Sequence, residues 1–169
     1  KNESLFSVCN NCNTSMGRRL LKERLLYPEI NSEIIENRYG QIETLRKDKN
    51  YEHFTDYLSK IADLEKYNRL MGLDLLKSND FYLCYLSYDF IQLLISKVEE
   101  FPEIWKQYKI YHEDILKWKD YYIEINKIFE WDNFGKYTSM NEKSLFKKDY
   151  SNEMDEITDK IQTIQYKYK

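Results

Sequence analysis

From Phe101 to Phe129 an apolar or aromatic side chain recurs at every third or fourth position: Phe101, Ile104, Tyr108, Tyr111, Ile115, Trp118, Tyr122, Ile125 and Phe129. That spacing keeps one face of an α-helix apolar, and here it runs for about four heptads. It predicts a single helix of roughly 40 Å at 1.5 Å per residue. Pro102 stands at its start, where a first-turn proline is tolerated. A helix with so long a seam requires a partner helix beside it.

The rest of the chain repeats the theme. Met16, Leu20, Leu21 and Leu25 form a stripe behind a Thr14 or Ser15 cap, and Pro28 stops that helix. Ile35, Arg38, Ile42 and Leu45 share a face, with Glu33 in the first turn. Phe54, Leu58 and Ile61 mark a short helix, and Asp63 caps another bearing Leu64, Tyr67, Leu70 and Met71. Phe81, Cys84, Tyr88, Ile91, Ile95 and Val98 trace the buried side of the next. Leu5, Phe6, Val8, Cys9 and Cys12 cluster on one side of a short first helix. Met154, Ile157, Ile161, Ile164 and Tyr168 close the chain with the same spacing, acidic at the start and basic at the end. The segment "DNFGKYTSMNEKS" reads as a polar loop.

With four glycines and two prolines in 169 residues, a turn-rich β architecture is disfavoured. A third of the residues are charged, with both signs mixed, as on solvated helix faces. The fold class read here is all-α. The net charge of −3 lacks the basic surplus of a free-standing nucleic-acid-binding domain. The sixteen tyrosines could form a base-stacking surface, or could reflect an AT-rich genome. No apolar run is long enough to span a membrane. "KNESLF" has neither a signal peptide's apolar core nor a starting methionine, which points to a cut inside a longer protein. Three cysteines fit a reducing, intracellular compartment better than a disulfide scaffold.

Candidate chemistry is sparse. Cys9 and Cys12 form a C-x-x-C, but Cys84, His53 and His112 lack ligand spacing for a zinc site, so two buried thiols are the simpler reading. "FGKYTS" lacks the first glycine and the spacing of a phosphate-binding loop. Glu99–Glu100 and Asp155–Glu156 are adjacent, and adjacent helical positions do not face one another. Lys143, Lys147 and Lys148 form a small basic cluster that reads as a solvated loop, with a phosphate contact as the alternative. No catalytic, nucleotide-binding or metal-binding residue is assigned, and DNA-contacting residues are not identifiable.

One stretch carries more. "CNTSMGRRLL" places a glycine just inside a helix, at a propensity cost of roughly 1 kcal/mol relative to alanine. In "SLFSVCNNCNTSMGRRLLKERLLYPEINSEIIENRYGQIETL" the residues Thr14, Gly17, Arg19, Leu20, Leu21, Pro28, Ile35, Arg38 and Leu45 stand as T-x-x-G-x-R-L-L, then P, I-x-x-R and a closing L. This resembles the core, or lever, domain of the MutS family of DNA mismatch-repair proteins. Asp63, Leu64, Glu65 and Arg69 are similar to that family's D-L-E-R helix. Tyr150, Asn152, Glu153, Met154, Asp155 and Ile157 are similar to its G-Y-N-E-E-L-D-E-L segment before the clamp. Ser15 replaces the usual proline, and Asp149 stands where a glycine is expected.

The resemblance implies an elongated multihelical lever with long antiparallel, coiled-coil-like helices. It implies a core segment over 1–100 and long helices over 101–169 leading towards the clamp. It further implies a parent that is a dimeric ATPase, using ATP and Mg and bound to mismatched duplex DNA. The fragment itself lacks a P-loop and is expected to be non-enzymatic, its partners being the other domains of the same chain. In that setting Gly17 is expected to let a neighbouring helix or backbone come close. The competing reading is an independent helical scaffold or coiled-coil interaction module.

Overall fold

The structure, a computed structural model, describes residues 4–134 and 143–167. Among these residues it is helical throughout, with one isolated antiparallel bridge, Phe129 to Phe146, and no strand. The chain divides into two units, Lys1–Leu76 with Leu83–Ile110, and Lys77–Tyr82 with Tyr111–Lys169.

The first unit begins with helices α1 (Leu5–Cys9), α2 (Ser15–Leu26) and α3 (Ser32–Arg46). Each has a side-chain cap that satisfies first-turn N–H groups: Ser4, Thr14 and Asn31. Asp48 and Lys49, both at positive φ, lie in the short turn between α3 and α4 (Glu52–Leu58). Helix α5 (Leu64–Gly72) follows, and then α6 (Ser78–Glu99), whose first turn belongs to the second unit. Helix α7 (Pro102–Tyr108) completes the first unit with Pro102 in its first turn. Phe54, Ile61, Cys84, Tyr88 and Ile104 form its core. The rings of Phe54 and Phe101 meet at 5.6 Å, and Gln41 of α3 is hydrogen-bonded to Gln107 of α7. The Lys60 ammonium lies 4.9 Å above the Phe90 ring.

The second unit holds α8 (His112–Ile128), α9 (Trp131–Phe134) and α10 (Asn152–Lys167). Its centre is aromatic. Phe81 from the start of α6 packs edge-on against Phe129 at 5.1 Å and also meets Trp131 and Phe134. Phe146 closes over Phe129 at 5.2 Å, held by Glu130 N–H to the Leu145 carbonyl and Lys147 N–H to the Ile128 carbonyl. The Trp131 indole N–H donates to Asn126 Oδ1 at 3.0 Å, so burying this ring leaves its polar edge paired.

Three expectations are corrected. The Phe101–Phe129 run is not one helix: a 3₁₀ turn, Lys109–Tyr111, separates α7 from α8. Tyr108 and Tyr111 at the break are exposed, so neither ring gains burial from continuing the helix there. Secondly, α1 ends at Cys9, so Cys12 lies beyond the helix on which the spacing places it; Leu5 and Val8 are exposed. Thirdly, the polar loop starts later than expected. Asp132, Asn133 and Phe134 are helical, and Phe134 is 2% exposed in the aromatic core. Residues 135–142 of that segment, with most of "FGKYTS", lie outside the described residues, as do Tyr168 and Lys169.

Candidate functional site

Two of the sequence motifs meet at one side chain. Thr14 caps α2 by accepting the Gly17 N–H at 2.9 Å, which fixes the register of the helix that carries Arg19. Asp63 caps α5 by accepting the Lys66 N–H at 3.2 Å. The Arg19 guanidinium reaches across from α2 to α5. Its Nη1 and Nη2 donate to the two oxygens of Asp63 at 2.9 and 2.7 Å, and Nε donates to Glu65 Oε2 at 2.7 Å. The planar fork matches a carboxylate with two parallel bonds, a geometry that lysine cannot supply.

The electrostatics follow the bonds. The Arg19 hydrogen bonds hold the Asp63 carboxyl below its ordinary value, against the opposing effect of burial. Asp63 and then Glu65 raise the guanidinium further above its usual range. Both partners stay ionised at neutral pH. The site is partly solvated, with the Arg19 side chain 48% exposed, so it orients helices more than it stabilises the fold.

A second motif residue, Arg38, acts on the turn between α2 and α3. The Glu29 carboxylate accepts the N–H groups of Ile30 and Asn31, both at 3.1 Å, and lies 3.6 Å from the Arg38 guanidinium. Those backbone donors, chiefly Asn31, and the Arg38 charge hold the Glu29 carboxyl low. Arg38 therefore braces the Pro28–Asn31 turn between α2 and α3.

Gly17 works differently from the expectation. A Cβ there would lie 2.9 Å from Thr14 Oγ1 and 3.8 Å from Cys12 Cβ. The close approach comes from its own helix cap and the preceding loop, not from a neighbouring helix.

In the second unit the third motif begins α10. Asp149 has φ 68°, the left-handed conformation that favours glycine, and its N–H donates to Asp155 Oδ2 at 2.9 Å. A glycine is expected at this position for that reason; aspartate is among the side chains that tolerate it. Tyr150 stacks on Phe146 at 5.9 Å.

The remaining candidates fall out as follows. Cys9 is exposed and Cys12 half-buried, so they are not the two buried thiols expected; Cys84 is buried, and all three are free thiols. Among the described residues no group of His, Cys, Asp and Glu could hold a metal ion. His53 and His112 are exposed and in different units. The Lys147 ammonium donates to the Asn126 carbonyl at 2.7 Å, so it serves the C-terminus of α8; Lys143 and Lys148 are exposed. Among the described residues no helix is long and apolar enough to cross a membrane.

The sequence model of the family described as MutS domain III matches residues 1–108, which include Arg19, Arg38, Asp63 and Glu65. The chain belongs to the MutS domain III family. It is similar to a DNA mismatch repair protein mutS homologue of Acanthamoeba polyphaga mimivirus, 28% identical over 170 residues, covering 98% of this chain and 15% of that protein. The DNA mismatch repair protein MutS of Thermotoga neapolitana is 28% identical over 177 residues, covering 100% of this chain and 20% of the relative. That of Thermotoga petrophila is 39% identical over 82 residues, covering 44% of the chain and 10% of the relative. The chain thus spans at most a fifth of the length of these MutS relatives. No solved structure matches it.

Proposed function

We propose that this chain is the helical core, or lever, segment of a MutS-like mismatched-DNA-binding ATPase, and that it connects the DNA clamp mechanically to the ATPase domain. The observation that carries the reading is the Arg19 fork. It joins the two motif-bearing helices, α2 and α5, by three hydrogen bonds from one rigid guanidinium. Relay of motion between distant sites requires an element with a defined packing that both sites can bias. Such a brace provides one, within a chain that spans 15–20% of the relatives aligned along it. ATP and Mg would bind elsewhere in the parent, which would act as a dimer on mismatched duplex DNA, and the fragment would contribute no catalytic group.

The full-length protein tests this. It should prefer mismatched over matched duplex and release the mismatch when ATP is added. Arg19→Gln should retain mismatch binding and slow ATP-triggered release by several-fold. A full-length protein that binds both duplexes alike, or an Arg19→Gln variant that releases as fast as the parent, would contradict the proposal.

A further inference from the structure

The turn that presents Asp63 to Arg19 is also held by a serine of α6, through the backbone of the residue before Asp63. Asp63 has φ −76° and ψ 80°, and Leu64 donates its N–H to the Ala62 carbonyl at 2.9 Å. Together these define an inverse γ-turn centred on Asp63. The Ala62 N–H in turn donates to Ser87 Oγ at 3.0 Å. Ser87 lies on α6 with 0% exposure. Its own proton goes to the Leu83 carbonyl at 2.7 Å, which leaves its lone pairs to accept. Ile61, next to this turn, is buried. The two bonds of Ala62 thus fix the backbone just before Asp63: its N–H is tied to α6 and its carbonyl to Leu64.

A fully buried serine in a helix interior is not a packing choice, because alanine has the better helix propensity and carries no polar group to desolvate. Its hydroxyl is occupied on both sides, and its acceptor side faces the turn.

We propose that Ser87 is a positioning residue for the Arg19 fork, anchoring the turn over 62–64 so that α2, α5 and α6 are joined through one point. Ser87 acts through the Ala62 amide. The charged groups around the Asp63 carboxylate are Arg19, Glu65 and Lys66, and Ser87 adds none. Its effect on the fork is one of placement.

The test is the titration of Asp63, followed by carboxyl-carbon NMR in the intact chain, together with amide hydrogen exchange. Ser87→Ala should move the Asp63 midpoint upward, towards the ordinary aspartate value, and should speed exchange at Ala62. Ser87→Thr, which keeps a hydroxyl, should hold the native midpoint even if it melts earlier. Phe54→Leu, a packing change in the same unit, should lower the melting temperature and leave the midpoint alone. An unmoved midpoint in folded Ser87→Ala would overturn the proposal, as would an equal shift in Phe54→Leu. Should Ser87→Ala fail to fold, exchange in the unaltered chain decides. Ala62 must then exchange as slowly as the core amide of Tyr88, and exchange as fast as an open turn would overturn the assignment.

Discussion

Gly17 and Asp149 show how one backbone position can limit its side chain. At Gly17 a methyl group would crowd Thr14 Oγ1 at 2.9 Å. Two opposing effects of similar size meet there: helix propensity favours alanine by up to about 1 kcal/mol, and loss of a threonine cap costs about 1 kcal/mol. Gly17→Ala should therefore be close to neutral in the native chain. In a Thr14→Ala background, where the crowded oxygen is gone, the same change should stabilise by roughly 0.5–1 kcal/mol. Urea midpoints of the four chains measure this, and equal gains in both backgrounds would show that the cap and the glycine are independent. At Asp149, with φ 68°, alanine should cost about 1 kcal/mol while glycine should cost nothing. Equal stability of Asp149→Ala and Asp149→Gly would show that the conformation carries no penalty.

At the scale of elements, the helices and their caps were legible because periodicity and capping are local. Thr14 and Asp63 cap where the sequence places them, and Pro28 lies just past the end of α2. The break at Lys109–Tyr111 was not legible. Tyrosine satisfies an apolar pattern and a solvated surface equally well, so Tyr108 and Tyr111 continue the spacing although both are exposed. The seam survives in α8, with Ile125 buried at its far end and Ile115 only half-buried. Ile125→Asp should cost several kcal/mol through burial of an unpaired charge, and Ile115→Asp clearly less. Denaturant unfolding separates them, and equal costs would mean that the two positions are equally buried. The α9 aromatic residues hid for the opposite reason: Trp131 and Phe134 sit among polar neighbours in too short a segment for periodicity to show. On α10 the three-four spacing marked a helix correctly, yet Ile157, Ile161 and Ile164 remain exposed, since spacing identifies a face without saying what covers it.

At the scale of the whole molecule, no single residue pattern predicted that Arg19 would meet Asp63 and Glu65, more than forty positions away. The residues were visible as separate motifs, and only folding brings them together. The pH dependence of the fork follows from its charges. The folded-state Asp63 carboxyl titrates below its unfolded value near 3.8. Its contribution is therefore complete above that value and is lost as pH falls through the lower, folded one. The stability gap between the native chain and Arg19→Gln should be constant near neutrality and close in acid. A gap that persists unchanged into acid would exclude the carboxylate. For the isolated chain, duplex DNA binding should be weak and should fall as salt is raised; tight, salt-insensitive binding by anisotropy would require a DNA site within these residues.

The double-mutant cycle between Arg19 and Asp63 tests the joining of the two motifs most directly. Arg19→Gln and Asp63→Asn should each lower the denaturation midpoint, and the double variant should lose little more than the worse single one, because both remove the same fork. Losses that simply add would mean that the two side chains do not meet, and the brace between α2 and α5 would not exist.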